Sequence, residues 1–414
     1  MSATTRREFL RAGAGAGVLL TASGVGSASG QATRTSVRVG VVLPLSGPYA
    51  DQGSGGARGI QFCAEQLNAR GGLLGRRIEV IVEDTQLKPQ VAVVKATKLI
   101  NQDQVHFLMG EISGASTLAL LEVAERSKVV MLTPYSSPEA VTGTRGTRYQ
   151  FRTYSNTWIQ ASIAADYVTR HLGKRWGVMA ADYAYGQDYA RHLKKFVTQR
   201  GGQVVAEVFP PLGTTDFASF LAKAAAGDPD VLWMVEYGRD AAVALNQATA
   251  MGLKKKMALG LGVANTEQVK GMQPGAFEGT YALVIWYPNW PGEATKAFVK
   301  AYHARHGDYS EAAGVHYTGA QVLFQAVASA GSVDADAVIK ALEDREFETI
   351  KGRIRMRGYD HQAVQAYFMG RGVVVRDWPI PVYEPVKWYE AETVERDFMP
   401  PADPRIHPVR WRQS

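Results

Sequence analysis

The sequence predicts an α/β protein built from two doubly wound parallel sheets in two lobes, and three observations support this prediction. Short apolar runs rich in Val, Ile and Leu alternate with longer segments that have helical periodicity. Such alternation implies parallel strands joined by right-handed helical crossovers. The pattern occurs twice in succession, and a length of 414 residues accommodates two units of this kind.

The first unit contains four predicted strands separated by three predicted helices. The run over 37–45 is almost continuously apolar, as expected of a strand that is buried on both faces. The helix over 57–67 carries Ile60, Ala64 and Leu67 on one stripe, and a pair of glycines shortly afterwards ends it. The other predicted elements are strands at 77–83, 105–109 and 129–132 and helices at 89–100 and 116–126.

The second unit repeats this order of strands and helices. Its predicted strands cover 176–181, 203–208, 231–235 and 257–262, and its predicted helices cover 158–171, 187–199, 217–226 and 240–252. Further helices are predicted at 293–306, 313–330 and 334–343.

Net charge and cysteine content exclude several classes of function. The chain has 46 Lys and Arg against 39 Asp and Glu, a net charge of +7 that is spread along its length. A nucleic-acid-binding protein would carry a clustered basic patch or a recognition motif, so we expect no nucleic-acid partner. The single cysteine, Cys63, excludes a disulfide framework and is predicted to be a small core residue on a helix.

The first 32 residues are typical of an export signal. Arg6 and Arg7 precede an uncharged stretch over 12–30 that is rich in Ala, Gly and Ser. Its apolar part is too short to cross a bilayer, which needs about 20 strongly apolar residues. The paired arginines resemble the twin-arginine type of signal, so 1–32 is predicted to be removed, with a flexible arm as the alternative. Removal leaves a net charge of +5.

The loops that follow the predicted strands share small hydroxyls, glycines and tyrosines, and open parallel sheets bind ligands at this edge. Serines near helix N-termini suit a ligand carboxylate, and tyrosines supply apolar walls with a polar edge. Each serine taken alone could merely cap its own helix, but repetition in five loops favours a shared cleft. The candidates are Ser113, Ser116, Tyr135, Ser136, Ser137, Tyr185 and Tyr237.

The sequence predicts neither catalysis nor a bound metal or cofactor. An enzyme would need a nucleophile with a base, paired carboxylates or a metal cluster. The eight histidines are scattered, and His303 and His306, three residues apart on one predicted helix, have no carboxylate ligand in register. A solvated helix face is the favoured interpretation of that pair.

Several segments in a fixed order resemble the periplasmic binding proteins of ABC importers, of the branched-chain amino acid type. These segments include Gly40 to Pro48, Leu67 to Ile78, Phe151-Arg152-Thr153, Tyr185-Gly186-Gln187, Thr215-Asp216-Phe217 and Gly227 to Asp230, and the resemblance extends over about 37–375. It implies the type I periplasmic binding protein fold, with two lobes joined by a three-crossover hinge that closes on ligand.

The resemblance also implies how the chain is divided. The first lobe would comprise 36–152 with 286–349, and the second 153–285 with 350–376. The remaining 377–414 form a proline-rich C-terminal tail, for which both an extended strap and a disordered segment stay open.

The resemblance assigns roles to most of the candidates. Ser113 would bind the ligand carboxylate, and Ser136 and Ser137 would lie in the loop that contacts the same carboxylate and the amino group. Tyr185 and Tyr237 would line the second lobe. Gln52 occupies a place where the family often has an aromatic residue. Trp158, early in a second-lobe helix, is the tryptophan that we expect at the cleft.

One family feature is missing from the sequence. Amino acid binders have a carboxylate after the strand that begins near Met257, where it pairs with the ligand ammonium, and this chain has only uncharged residues over 260–265. Leaving a buried ammonium without a counter-charge costs about 3 to 5 kcal/mol. Either Glu236 or Glu111 supplies the missing charge, or the ligand is a neutral or anionic molecule such as an aromatic or branched carboxylate or an amide.

The sequence therefore predicts a monomeric periplasmic or extracellular solute receptor that delivers a small amino acid or carboxylate to an ABC permease. The alternative is a ligand sensor of the same fold that reports to a membrane or regulatory partner.

Overall fold

A computed structural model describes residues 36–376 and 378–402 of the chain. The predicted export signal, 1–32, lies outside the described residues. Two large sheets organise the described part, and their carboxyl edges face each other across a closed cleft.

The first sheet has five parallel strands in the order β2-β1-β3-β4-β5. Each strand is a short, mostly buried run of β-branched and other apolar residues, and each connecting helix buries one face against the sheet. The strands are β1 (Ser36–Leu43), β2 (Arg77–Asp84), β3 (Phe107–Gly110), β4 (Val130–Thr133) and β5 (Gln150–Arg152); the helices are α1 (Ala50–Asn68), α2 (Pro89–Asn101) and α3 (Gly114–Ser127).

The second sheet has seven strands in the order β15-β14-β10-β9-β8-β6-β7. The five strands from β10 to β7 in this order are parallel to one another. β14 pairs antiparallel with β10, and β15 pairs antiparallel with β14. The strands are β6 (Arg175–Ala180), β7 (Gln203–Val208), β8 (Val231–Val235), β9 (Ala258–Val263), β10 (Tyr281–Val284), β14 (Tyr367–Val373) and β15 (Val382–Tyr389); the helices are α4 (Thr157–His171), α5 (Ala184–Gln199), α6 (Ala218–Ala224), α7 (Gly238–Ala250), α8 (Thr266–Val269) and α9 (Pro274–Phe277).

Three later helices return to the first sheet. They are α10 (Glu293–His306), α11 (Glu311–Ala330) and α12 (Ala335–Leu342), and α11 packs along α1. Cys63 is buried on α1, as predicted, and burial raises the pKa of its thiol to about 12. Within the described residues no single helix is long and apolar enough to span a membrane; α11 and α12 reach that length and apolarity only together, across a bend of 113°.

A small third sheet lies where the chain crosses between the lobes. It joins β11 (Glu346–Thr349), β12 (Gly352–Met356) and β13 (Ala363–Val364) in antiparallel order. The predicted lobe boundary between residues 349 and 350 falls inside the β11–β12 hairpin, which belongs to neither large sheet.

The predicted C-terminal tail is part of the second sheet as far as residue 389. β15 pairs antiparallel with β14, and α13 (Ala391–Asp397) follows it. Ser162 on α4 donates a hydrogen bond to the carbonyl oxygen of Phe398 at 3.3 Å. The described part of the tail therefore contributes a strand to the second sheet and then a short helix, so that sheet extends beyond the predicted end of the second lobe at residue 376.

The buried guanidinium of Arg152 connects the first lobe to the hinge. It is fully buried, and its N–H groups donate to the carbonyl of Pro138 at 2.6 Å, to Gln362 Oε1 at 2.7 Å and to Thr142 Oγ1 at 2.5 Å. None of these three acceptors is a carboxylate. Burial lowers the pKa of Arg152 to about 10, which still leaves it charged at neutral pH.

Replacing Arg152 with Met should lower the free energy of unfolding by about 3 kcal/mol, because three buried acceptors lose a charged donor. Urea denaturation followed by circular dichroism measures the change. The control is Arg170→Ala, because Arg170 is largely exposed and its ion pair with Asp166 is an i,i+4 pair on α4. We expect a change within about 0.5 kcal/mol. Equal stabilities of the two variants would contradict the central role of Arg152.

Candidate functional site

Loops at the carboxyl edges of both large sheets enclose a cavity of about 30 Å³. This volume holds about one water molecule. The wall consists mainly of aromatic and small residues, and no Asp, Glu, Lys or Arg of the described residues lines it. The wall residues are Tyr49, Ile112, Gly114, Tyr135, Ser137, Pro138, Tyr154, Tyr183, Tyr185, Tyr237 and Val263.

The N-terminus of α3 borders the cavity on the first-lobe side. Ser113 caps the helix, and its Oγ accepts from the N–H of Ser116 at 3.4 Å. Gly114, the first helical residue, lies on the wall, and a Cβ there would be only 2.3 Å from Pro138 Cγ. The buried Oγ of Ser116 has no hydrogen-bond partner among the described residues. The positive end of the α3 dipole therefore faces the site.

Hydrogen bonds hold the loop after β4 against this helix end. Ser136 Oγ accepts from Thr117 Oγ1 at 2.9 Å, and Ser137 Oγ accepts from Gln160 Nε2 at 2.9 Å. Because Arg152 binds the carbonyl of Pro138, the same loop is fixed from behind. The wall is therefore rigid where α3 and this loop meet.

Tyrosine hydroxyls close the cleft between the lobes. Tyr49 and Tyr183 share a hydrogen bond of 2.8 Å, and Tyr237 donates to Tyr135 at 2.5 Å. Tyr135 in turn donates to the buried carboxylate of Glu311. Burial raises the pKa of both Tyr135 and Tyr237, so their hydroxyls keep their protons.

Tyr185 occupies the second-lobe side of the wall above the end of β9. Its hydroxyl is buried and has no hydrogen-bond partner among the described residues. A Cβ on Gly262 would be 3.1 Å from that hydroxyl oxygen, so the glycine leaves the room that Tyr185 occupies. Next along the chain, Val263 lies on the wall and Asn265 caps α8.

The two predicted substitutes for the missing carboxylate do not line the cavity. Glu111 accepts hydrogen bonds from Thr85 Oγ1 at 2.5 Å and from the N–H of Ser113, so it supports the α3 loop from within. Burial raises the pKa of Glu111 to about 7. Burial, with repulsion from Asp240, raises the pKa of Glu236 to about 8, and its buried Oε1 has no partner among the described residues.

The structure brings most of the predicted site residues together. Tyr135, Ser137, Tyr185 and Tyr237 line the cavity. Ser113 caps α3, Ser116 lies on the first turn of α3 and Ser136 lies in the loop after β4, but none of the three is a wall residue. Gln52 is buried on α1 against the start of α7, where a Cβ on Gly238 would be 3.2 Å from its Nε2.

Trp158 does not reach the cavity, contrary to expectation. Its ring packs edge-on against His192 and Phe196, with centroid distances of 5.2 and 5.0 Å, and Lys195 Nζ lies 3.9 Å from the ring centroid. As the second residue of α4, Trp158 points toward α5 rather than toward the cleft, a rotation that no local pattern reveals.

Seven wall residues are not among the predicted site residues, namely Tyr49, Ile112, Gly114, Pro138, Tyr154, Tyr183 and Val263. Tyr49, Ile112, Gly114, Pro138 and Tyr183 lie in the strand-end loops that the sequence pattern marks, whereas Tyr154 follows β5 and Val263 is the last residue of β9. Their position close to the carboxyl ends of strands is the signal in the sequence that marks them.

A second contact between the lobes lies beside the cavity. The N–H of Glu139 donates to Asp188 Oδ2 at 3.0 Å, and His192 Nε2 lies 3.2 Å from Glu139 Oε2 and 3.4 Å from Asp188 Oδ1. Arg191 and Thr157 also bind Asp188. Burial alone would lower the pKa of His192, but the bonds to Asp188 and Glu139 outweigh it and raise that pKa. The bond from His192 lowers the pKa of Glu139.

A two-lobed α/β protein whose strand-end loops close over a small internal cavity is a solute-binding protein of the hinged class. The particular family follows from sequence comparison. The family model described as periplasmic binding protein matches residues 36–374, and the chain belongs to this family.

Relatives agree with this assignment in both sequence and structure. The leucine-, isoleucine-, valine-, threonine- and alanine-binding protein of Pseudomonas aeruginosa is 27% identical over 343 residues, which cover 81% of this chain and 89% of that protein. A periplasmic binding protein from Burkholderia mallei has a TM-score of 0.81 at 25% identity, covering 87% and 96% of the two chains. An ABC transporter substrate-binding protein from Sphaerobacter thermophilus has a TM-score of 0.78 at 27% identity, covering 86% and 98%.

Glu139→Gln should destabilise the protein by about 1 kcal/mol at pH 5.5 and by less at pH 8.5. The raised pKa of His192 means that its ion pairing is fully present below the unfolded-state pKa of about 6.5 and is lost as the pH rises through the folded-state value. Because the pKa of Glu139 is lowered, its carboxylate remains ionised at both pH values. Urea denaturation at the two pH values measures the difference.

The matched control is Glu122→Gln, since Glu122 pairs with Arg145 at the surface and outside this cluster. Its effect should be small and equal at both pH values. A loss of stability in Glu139→Gln that is the same at pH 5.5 and pH 8.5 would show that His192 is not its charged partner.

Proposed function

We propose that this protein is the extracytoplasmic substrate-binding component of an ABC importer. It captures a small carboxylate or amino acid between its lobes and delivers the solute to a membrane permease. The observation that carries this proposal is a cavity whose wall is contributed by both lobes, because a solute that contacts both lobes stabilises the closed form.

The first-lobe side of the cavity supports a ligand carboxylate. Gly114 places the positive end of α3 on the wall, and Ser137 contributes to the adjacent loop. Anions bind at helix N-termini because the first N–H groups have no intrahelical partners. The unpartnered Oγ of Ser116 adds a hydroxyl two residues along α3 from the wall residue Gly114.

The tyrosines support a ligand with an apolar body. Six of the eleven wall residues are tyrosines, and their rings offer flat apolar surface with hydroxyls at the edge. Since the cavity has a volume of about 30 Å³, it has room for about one water molecule, and the lobes must move apart to accommodate a larger solute. Opening breaks the Tyr49–Tyr183 and Tyr135–Tyr237 hydrogen bonds, which the ligand contacts must offset.

The named relatives support this class of solute. The Pseudomonas aeruginosa protein is named for binding five amino acids, all of which carry a carboxylate. Because the match covers most of both chains, the same overall role is the natural proposal for this protein.

The N-terminal sequence supports export in the folded state. Arg6 and Arg7 precede an uncharged, weakly apolar stretch, which is the pattern of a twin-arginine signal. We therefore place the mature protein in the periplasm or outside the cell.

Gly114→Ala should weaken ligand binding about tenfold, which corresponds to about 1.4 kcal/mol. The new Cβ would be 2.3 Å from Pro138 Cγ and must displace a wall residue. A thermal-shift screen of amino acids, aliphatic and aromatic carboxylates and amides identifies the ligand, since a solute at 100 times its Kd adds about 2.7 kcal/mol. Isothermal titration calorimetry then measures the affinities.

The control is Gly275→Ala, because a Cβ at that position meets nothing within 4 Å. Its affinity should equal that of the wild type. The receptor function is contradicted if no solute in the screen raises the melting temperature of the wild type.

The double substitution of Arg6 and Arg7 by Lys should retain the protein in the cytoplasm of a bacterial host that has a twin-arginine translocase. Cell fractionation followed by immunoblotting measures its distribution. Arg11→Lys is the control, since Arg11 lies after the paired arginines, and it should be exported normally. Export of the double variant at the wild-type level would refute the twin-arginine assignment.

A further inference from the structure

The second-lobe end of the cavity presents an uncharged polar group. The side chain of Tyr185 is 6% exposed and lines the wall, and its hydroxyl lacks a hydrogen-bond partner among the described residues. A buried polar group without a partner costs about 1 to 3 kcal/mol. A ligand atom that bonds to this hydroxyl would recover that cost.

The room for this hydroxyl depends on Gly262. A Cβ there would approach the hydroxyl oxygen to 3.1 Å, a separation that is tighter than most real contacts. Gly262 lies on β9, directly before the wall residue Val263. The end of β9 is thus shaped for a tyrosine hydroxyl above it.

The carboxylates near the cavity are already engaged or off the wall. Glu311 accepts from Tyr135, and Glu267 accepts from Ser310 Oγ at 2.5 Å and from Thr266 Oγ1 at 3.0 Å. Glu111 binds Thr85 and the α3 loop. Glu236 is buried outside the wall and is largely protonated at neutral pH, since its pKa is about 8.

No carboxylate of the described residues lines the cavity, so a ligand ammonium would enter a tyrosine-lined space without a counter-charge on its wall. Removing a cation from water without a partner is far more costly than burying a neutral hydroxyl or carbonyl. A carbonyl or hydroxyl oxygen, in contrast, accepts directly from a tyrosine O–H.

We propose that the ligand is a small carboxylic acid whose second polar group is an uncharged oxygen, an oxo or hydroxy acid rather than an amino acid, and that the Tyr185 hydroxyl donates to this oxygen. The inference rests on the proposed receptor function and names its substrate class. Tyr185 then supplies the donor for the uncharged oxygen, and the lack of a carboxylate on the cavity wall disfavours an ammonium at this position.

Matched solutes that differ only in this group test the proposal. Calorimetry with the full mature chain compares leucine, α-hydroxyisocaproate, α-ketoisocaproate and isocaproate, and the corresponding series phenylalanine, phenyllactate, phenylpyruvate and phenylpropionate. We expect the oxo or hydroxy acid of the better-fitting series to bind at least about tenfold more tightly than the amino acid, because the ammonium lacks a counter-charge.

Tyr185→Phe removes the hydroxyl and keeps the ring, so it tests the hydrogen bond apart from the shape of the wall. The affinity for the oxo or hydroxy acid should fall about five- to tenfold, because this acid bonds to the hydroxyl. The affinity for the plain carboxylate of the same series should change by less than about twofold, because it makes no such bond. Gly262→Ala, which displaces the hydroxyl, should reproduce this selective loss. Tyr281→Phe, on β10 and outside the cavity wall, should leave every affinity unchanged.

Three results would overturn the proposal. The first is that the amino acid binds most tightly in both series. The second is that Tyr185→Phe lowers the affinity for the plain carboxylate as much as the affinity for the oxo acid. The third is that Glu236→Gln abolishes amino acid binding, which would identify Glu236 as a counter-charge. These results leave the receptor function standing, because a solute still binds. Failure of the wild type to bind any member of the wider carboxylate and amide screen would instead overturn the receptor function itself.

Discussion

The buried guanidinium of Arg152 is the interaction on which the arrangement of this molecule depends. It donates to the carbonyl of Pro138 in the cavity wall and to Gln362 in the returning crossover. The backbone N–H of Arg152 also donates to the carbonyl of His361, at 3.0 Å. Gln362 Nε2 then donates to the carbonyl of Tyr154, another wall residue, at 2.6 Å. A charge that is desolvated so completely must satisfy its donors within the protein, so the wall and the hinge are held in one register.

Closure of the two lobes relies on neutral hydroxyls around the cavity and on charges only beside it. The Tyr49–Tyr183 and Tyr135–Tyr237 bonds cross the cleft without burying an ion, and the Glu139–His192 pair lies outside the wall. Each neutral hydrogen bond stabilises the closed form by only about 0.5 to 1.5 kcal/mol, so the lobes can separate again. This balance suits a receptor that must open again to release its solute.

The site was predictable from the sequence to the level of loops, and less so to the level of side chains. Strand ends marked the loops that carry Tyr135, Ser137, Tyr185 and Tyr237, because parallel strands deliver their carboxyl ends to one edge. The same reasoning placed Trp158 at the cleft, although its ring packs on α5. Which way a helical side chain points depends on how the helix is rotated against its neighbours, and that rotation is set by packing across distant segments.

The sequence by itself determined the element order, the repeated α/β unit and the resemblance to periplasmic binding proteins, because hydrophobic periodicity and turn residues act over a few positions. Only the tertiary structure decided that Tyr135 meets Glu311 and Tyr237, that residues 382–389 complete the second sheet, and that the Tyr185 hydroxyl lies above Gly262. These contacts join residues that are far apart in the chain. Their formation depends on the spacing and twist of two sheets, which no local pattern encodes.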